Sequence, residues 1–488
     1  MNRIKKLIVG FLVSAMVLGM AITAYAASGT ITISNANAGQ TYDAYRVFDF
    51  VPADEENLAT NSGGIYKLAS KFSGLQSYTY DNDGTSVAMS SFFTVGDNDI
   101  LDTKGLATEE DVKVFGRAVL AYAKANGIGN DGSTTATEDG VATISVSEYG
   151  YYVVDSSLGS AVSVDTTKPD AAISEKNSAP EITKEVSDAT NKSTIYSDNT
   201  GNDAQIGDTV EFTIKAELKR GGKDYAIVDT LTPGLTLVDL QDSNISFSEG
   251  NLAYTIDNAY VDENGNKGFK ITFEGEPKAD TTATVVYQAV VNKDAAIASE
   301  ENINEAFLIY GNGTETTHVT TKTMTYPLQI KKIAIGDTTG KVLPGAEFQM
   351  IREFGNTTVK FTKISDTEYK VDPEGTVDAI VTVAETPVTV EGLNAENYVL
   401  VETKAPQGYN LLESSVTVDG KEYKHAQQVT VSNTSKVGEV QTATVEDGTG
   451  LTLPHTGGIG TTIFYIIGGI LVVAGIAYFI VRRKADAE

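Results

Sequence analysis

An all-β architecture of tandem β-sandwiches, with one helix in the first module, is what this sequence predicts. Three observations lead there. Valine, isoleucine, threonine and tyrosine alternate with polar residues along most of the chain, as in Thr30-Ile31-Thr32-Ile33, Val210-Glu211-Phe212-Thr213-Ile214 and Val429-Thr430-Val431. Glycine, asparagine and aspartate turns such as Glu263-Asn264-Gly265-Asn266 punctuate these runs. Roughly 430 residues lie between two special ends, more than one ordinary core holds, so two to four modules are expected.

Met1 opens a positive start with Arg3, Lys5 and Lys6, followed by a nearly unbroken apolar run from Leu7 to Ala21. Ala24-Tyr25-Ala26 then supplies the small residues of a secretory cleavage site, which makes 1–26 a signal peptide. The only helical spacing within the modules follows Thr108-Glu109-Glu110-Asp111. Val112, Phe115, Val119 and Tyr122 share one face, Thr108 is the cap and Gly127 the stop.

Proline-marked joints divide the interior: Lys168-Pro169 to Ala179-Pro180, and Lys322 to Pro327. The expected modules are therefore 27–180, 181–324 and 325–436. A polar stretch, 437–452, reads as a spacer, and 453–488 closes the chain. In that last segment an apolar run from Ile459 to Val481 is long enough to span a bilayer. Arg482-Arg483-Lys484 follow it and belong on the cytoplasmic side.

Charge and composition exclude several functions. A formal charge of −28 repels nucleic acid, so none is expected as a partner. With no cysteine and only three histidines, a zinc site is not expected, and no cofactor is called for. Asp81-Asn82-Asp83-Gly84 begins like a calcium loop but has Phe92 where the distant Glu belongs, so it reads as a turn. Acid pairs are frequent in so acidic a chain and do not by themselves indicate a glycosidase. Nor can an exported chain without cysteine staple itself with disulfides, so any covalent brace must come from other side chains.

Leu453-Pro454-His455-Thr456-Gly457, ahead of the apolar run and basic tail, resembles the cell-wall sorting signal read by sortase transpeptidases. In the third module, Leu328-Gln329-Ile330-Lys331-Lys332, Leu343-Pro344-Gly345-Ala346-Glu347-Phe348, Val429-Thr430-Val431-Ser432-Asn433 and Tyr398-Val399-Leu400-Val401-Glu402-Thr403-Lys404-Ala405-Pro406-Gln407-Gly408-Tyr409 carry a second likeness. The last of these resembles the E-box of Gram-positive pilins within a CnaB-type, immunoglobulin-like sandwich. That resemblance implies a Lys–Asn isopeptide bond, with Lys332 as amine, Asn433 as amide and Glu402 as the assisting acid. Alternation independently favours Lys332 over Lys331, because Leu328, Ile330 and Lys332 share a strand face.

Glu181-Ile182-Thr183-Lys184, Val228-Asp229-Thr230-Leu231-Thr232-Pro233-Gly234 and Asn304-Glu305-Ala306-Phe307 resemble the isopeptide-forming D2 domain of fimbrial subunits. The likeness implies Lys184 as amine, Asn304 as amide and Asp229 as acid, with Glu211 and Glu217 as competitors for the last role. Tyr42-Asp43-Ala44-Tyr45-Arg46 and Gly150-Tyr151-Tyr152-Val153-Val154 resemble the N-terminal pilin domain. No lysine lies in that module's opening strand, so no internal bond is expected there and it should be the least stable module.

Together the resemblances imply a backbone pilin, structural rather than enzymatic, secreted and held on the cell wall. Sortase would join Thr456 of one subunit to a linker lysine of the next, and finally to peptidoglycan. Lys176 lies where the family has its acceptor, although Ser174-Glu175 replaces the family's Tyr-Pro before it; Lys168 is the alternative. Partners would be identical subunits arranged head to tail, sortase, minor pilins and host surface ligands. A monomeric wall-anchored adhesin and an accessory pilin are the rival readings.

Overall fold

The computed structural model describes residues 29–485 apart from 53–63, 83, 97–99, 104, 160, 166–169, 176–178, 188–197 and 450–458. The signal peptide, the two linker lysines Lys168 and Lys176, and the sorting pentapeptide 453–457 lie outside the described residues. Three β modules follow one another, as the alternation predicts.

In the first module a three-stranded sheet (Asp170–Ser174, Gly29–Ala36, Gly140–Val146) faces a five-stranded one centred on Thr41–Pro52 and Gly150–Ser156. The helix spans Glu109–Ala125. Thr108 and Asp111 form a reciprocal capping box, satisfying two backbone N–H groups that the first turn leaves unpaired. Phe115 and Val119 face inward, where Phe115 meets Phe48, Phe92 and Phe93 at centroid distances of 5.9, 5.8 and 6.2 Å. Asp81 accepts from the Gly84 N–H at 2.7 Å, closing the hairpin turn expected there.

The second module is a sandwich of two sheets. One runs Ile182–Ser187, Thr209–Leu218, Thr281–Val291, Leu235–Leu237. The other contains Val319–Met324, Asn302–Tyr310, Ala226–Leu231, Lys267–Glu274 and Ala253–Val261 in that order. The strict in–out pattern of Thr281–Val291, buried at every second residue, shows why the hydrophobic alternation fixes its register.

The third module pairs a sheet ordered Phe361–Ser365, Glu368–Val371, Val388–Leu393, Tyr326–Ala334, Thr442–Asp447 with one ordered Thr357–Thr358, Glu347–Arg352, Asn397–Lys404, Ala426–Thr430. Its last strand corrects the sequence reading. Residues 442–447 were expected in a polar spacer from 437 to 452; instead they pair in parallel with the module's first strand, Lys332 opposite Val445 and Ala334 opposite Asp447. Thr442-Ala443-Thr444-Val445-Glu446-Asp447 is half polar because only one face is covered: Val445 and Asp447 are buried, while Thr442, Thr444 and Glu446 are exposed.

Beyond lies a helix over Ile459–Ala485. Its described side chains run from Phe464 to Ile480 and then Arg482, and all are exposed. The stretch Phe464–Ile480 falls short of the about 20 residues a bilayer span takes, so among the described residues no helix is long and apolar enough to cross a membrane.

The two inter-module joints differ in kind. Between modules one and two polar pairs predominate, with Lys223 paired to Asp155, Lys124 to Glu276 at 3.1 Å and Gln40 donating to Thr314 at 2.8 Å, while Leu158 of module one packs into the core of module two. Between two and three the apolar core is continuous. Arg352 of module three clamps Asp208 of module two with two hydrogen bonds, 2.6 and 2.9 Å, and also reaches Glu396 at 2.6 Å. Gly207, at φ 98°, lets the chain pass Pro373, whose ring a Cβ would strike at 2.3 Å. Removing the Arg352 guanidinium strands two half-sheltered carboxylates. Arg352→Ala should therefore lower the unfolding free energy of the module two–three unit by about 3 kcal/mol in denaturant titrations.

Candidate cross-linking sites

A lysine amine in a dry sandwich must find partners or lose its proton, because burial disfavours the ammonium. Both inner modules contain such a lysine. Lys184 sits on the opening strand of module two, where alternation turns Ile182, Lys184 and Val186 inward. Its Nζ pairs with Asp229, lies 2.8 Å from Asn304 Oδ1 and 2.5 Å from the Tyr287 hydroxyl. Asp229 and Asn304 belong to neighbouring strands of the facing sheet, with Leu231 opposite Asn304. Lys184 and Tyr287 come from the near sheet, on either side of the strand Thr209–Leu218. All four side chains are buried. The lysine, acid and amide expected in module two thus meet, whereas Glu211 and Glu217 turn to other partners: Glu211 accepts from Gln288 and Glu217 pairs with Lys219.

Burial dominates the electrostatics of this site. It pushes Lys184 below its ordinary range, against the pull of Asp229, and raises Asp229, against the pull of Lys184. Both shifts favour an uncharged amine beside a protonated acid, the state in which the amine has a free lone pair. Tyr287 is pushed well above 10, first by burial and then by Asp229, and so remains a phenol.

In module three Lys332 is fully buried and points inward, whereas Lys331 is half-buried. Lys332 Nζ lies 3.0 Å from Glu402 Oε1 and pairs closely with Asp447. Glu402 reaches across from the other sheet, its second oxygen accepting from the Leu412 N–H at 2.8 Å. Burial raises the Glu402 carboxyl, opposed by Lys332 and the Leu412 N–H. Asn433 is not brought to this site. It follows Ala426–Thr430 on the exposed turn and faces a surface hollow shared with Ser299, Glu301, Lys436 and Glu439. The residue the structure sets against Lys332 is Asp447, on the strand after that turn.

Two side chains that the structure sets at the buried amines escape the sequence reading. Asp447 was hidden by ending the module too early, although Ala443, Val445 and Asp447 share one strand face. Tyr287 was hidden because an inward tyrosine reads as core. Its neighbours Val285 and Ala289 are indeed core, and only the hydroxyl sets it apart. Among the described residues of module one, no buried lysine occurs. Groups of acidic and histidine side chains able to hold a metal ion are likewise absent among the described residues.

Residues 327–435 match the prealbumin-like fold domain, and residues 447–488 match the LPXTG cell wall anchor motif. This is a cell-wall-anchored surface protein. No curated protein matches the chain. Among solved structures, the wall-anchored chain is similar to the full-length major pilin SpaD from Corynebacterium diphtheriae, with 16% identity over 87% of this chain and 98% of that one at a TM-score of 0.44. It is also similar to the T6 backbone pilin of Streptococcus pyogenes, with 16% identity over 84% and 81% at a TM-score of 0.43. A third is the full-length RrgB pilus protein from Streptococcus pneumoniae, with 12% identity over 88% and 99% at a TM-score of 0.42.

Asn433 and Asp447 of the anchored chain should respond differently to truncation. Asn433→Ala, at an exposed turn, should change unfolding stability by less than about 0.5 kcal/mol. Asp447→Ala takes a partner from a buried lysine and should cost about 3–5 kcal/mol in the same chemical-denaturation assay.

Proposed function

We propose that the chain is the shaft subunit of a covalent pilus, braced internally by two self-formed side-chain amides. The observation that carries this reading is the pair of lysines sealed in successive sandwiches, each against an acid and a carbonyl electrophile, in a wall-anchored protein without cysteine. The role is structural, since each condensation happens once and leaves nothing to turn over.

In module two the neutral Lys184 amine attacks the side-chain carbonyl carbon of Asn304. The C–N bond to the amide nitrogen breaks, and that nitrogen leaves as ammonia. Asp229 polarises the carbonyl and carries protons. In module three we assign the electrophile to Asp447 in place of Asn433. Lys332 attacks its carboxyl carbon, one oxygen stays as the amide carbonyl, and the other leaves as water. Glu402, held by the Leu412 N–H, supplies and recovers the proton.

Polymerisation uses the C-terminal sorting signal and a lysine of the first linker. Sortase cuts between Thr456 and Gly457, holds Thr456 as an acyl-enzyme on its own cysteine, and passes it to Lys176 of the next subunit, with Lys168 the alternative acceptor. The contact is heterologous and does not close, so subunits add head to tail. Transfer to a peptidoglycan amine ends growth.

Intact mass of the folded ectodomain tests the internal bonds. Condensation in module two releases ammonia, about 17 Da, and in module three water, about 18 Da, so the folded chain should weigh about 35 Da less than its sequence. An unchanged mass removes the cross-link reading. Lys176→Ala cells should lose the high-mass ladder on denaturing gels; a ladder that persists in both Lys176→Ala and Lys168→Ala cells rules out both lysines.

A further inference from the structure

The two sites differ in one functional group. Beside Lys184 stands a tyrosine hydroxyl, whereas the aromatic ring beside Lys332 is that of Phe348, its centroid 5.4 Å from Nζ and without a hydroxyl. The electrophiles differ in parallel: an amide, Asn304, in module two and a carboxyl group, Asp447, in module three. Chemistry links these differences. A carboxylic acid loses water by protonation of its own oxygen. An amide nitrogen is a far poorer leaving group and departs only after a proton is placed on it.

Asp229 is badly sited to supply that proton directly. Its Oδ2 faces Lys184 and the Tyr287 hydroxyl, and its Oδ1 is buried with no hydrogen-bond partner. The group in hydrogen-bond contact with Asn304 Nδ2 is the Tyr287 hydroxyl, which accepts from it at 2.8 Å before reaction and so lies in line to return a proton once the nitrogen becomes basic. The same hydroxyl donates to Asp229 Oδ2 at 2.7 Å. A continuous chain therefore runs from the amine through the acid and the phenol to the departing nitrogen.

Resting on the cross-link reading above, we propose that Tyr287 is a catalytic residue of module two, the proton donor to the leaving amide nitrogen of Asn304. As the Lys184 nitrogen bonds to the Asn304 carbonyl carbon and the bond to Nδ2 breaks, Nδ2 takes the phenolic proton. The phenol oxygen takes a proton from Asp229 Oδ2, and Asp229 recovers one from the attacking nitrogen. The products are a secondary amide and ammonia, with Tyr287 and Asp229 back in their starting states. Nothing beyond the four side chains is required.

Tyr287→Phe removes the hydroxyl and keeps the ring that stacks on Phe212 at 5.5 Å and meets Phe269 edge-on at 4.9 Å. The test uses ectodomain refolded from denaturant-solubilised inclusion bodies, followed by intact mass and by peptide mapping of the Lys184–Asn304 link. Asn304→Ala, which cannot react, sets the zero. Loss of a positioned general acid should slow ammonia release about 10²-fold in Tyr287→Phe. In an Asn304→Asp background, where water leaves instead, the same Tyr287→Phe change should slow the reaction by less than about 3-fold, because no general acid at nitrogen is then needed. Thermal melts of Asn304→Ala with and without Tyr287→Phe should coincide, confirming the intact fold. Ammonia loss from Tyr287→Phe at the wild-type rate overturns the proposal, as does equal slowing in both backgrounds, which would reduce Tyr287 to packing. Wild-type protein showing no ammonia loss in module two would instead sink the underlying cross-link reading.

Discussion

Everything distinctive about this protein follows from placing a lysine amine inside an apolar sandwich. The ammonium form is costly there, and an ion pair with one carboxylate repays only part of the desolvation. Lys184 and Asp229, and Lys332 with Glu402 and Asp447, have no exposed side-chain surface. As permanent ion pairs they would be a poor source of stability compared with leucines of similar volume. In the proposed cross-linking the same desolvation helps: burial lowers Lys184 and raises Asp229, which favours the neutral pair and a free lone pair on the amine. The penalty in the ground state would then favour the reaction.

The proposed bonds would brace their modules in different ways. In module two the amine and the electrophile come from facing sheets, so a bond between Lys184 and Asn304 would rivet the sandwich through its core. In module three Lys332 and Asp447 lie on neighbouring parallel strands, the first and last of the module. Tension that enters at Tyr326 and leaves toward the wall anchor would then pass through the side-chain amide, skipping the residues between. A closed loop of this length also restricts the unfolded chain, by about 5 kcal/mol on the chain-entropy account. Module one has no buried lysine among its described residues, and its joint to module two is mostly polar, with Leu158 packed into the neighbouring core, where the next joint is broadly apolar and clamped by Arg352.

Much of this was legible in the residues. Period-two alternation revealed the strands, the Thr108 cap and its apolar stripe revealed the helix, and the same alternation chose Lys332 over Lys331. In module two the amine, acid and amide are what the resemblance to the fimbrial D2 domain implies, and all three lie on regular strands. What escaped notice depended on pairing across long sequence separations. The Thr442–Asp447 strand is too polar to read as core by itself; it becomes a strand because the edge of Tyr326–Ala334 is open beside it. Asn433 is what the E-box resemblance implies as the amide, but the chain turns at Ser432 and carries Asn433 outward. Tyr287 shares its face with Val285 and Ala289, and nothing local tells a core phenol from a reacting one.

The pairing of electrophile with environment bears on how such sites diverge. An asparagine site needs an acid for the amine and a donor for the departing nitrogen, which is a reason for a hydroxyl-bearing ring at position 287. An aspartate site needs only carboxyl groups, and Glu402 with Asp447 provide them beside the bare ring of Phe348. Exchanging Asn for Asp at the reacting position changes the leaving group and with it the proton inventory of the whole pocket. A sandwich that keeps its lysine while changing its electrophile therefore alters which neighbours are under chemical constraint. On the proposed reading this chain would hold both solutions, each built on an inward-facing lysine, in two modules that share a continuous apolar core.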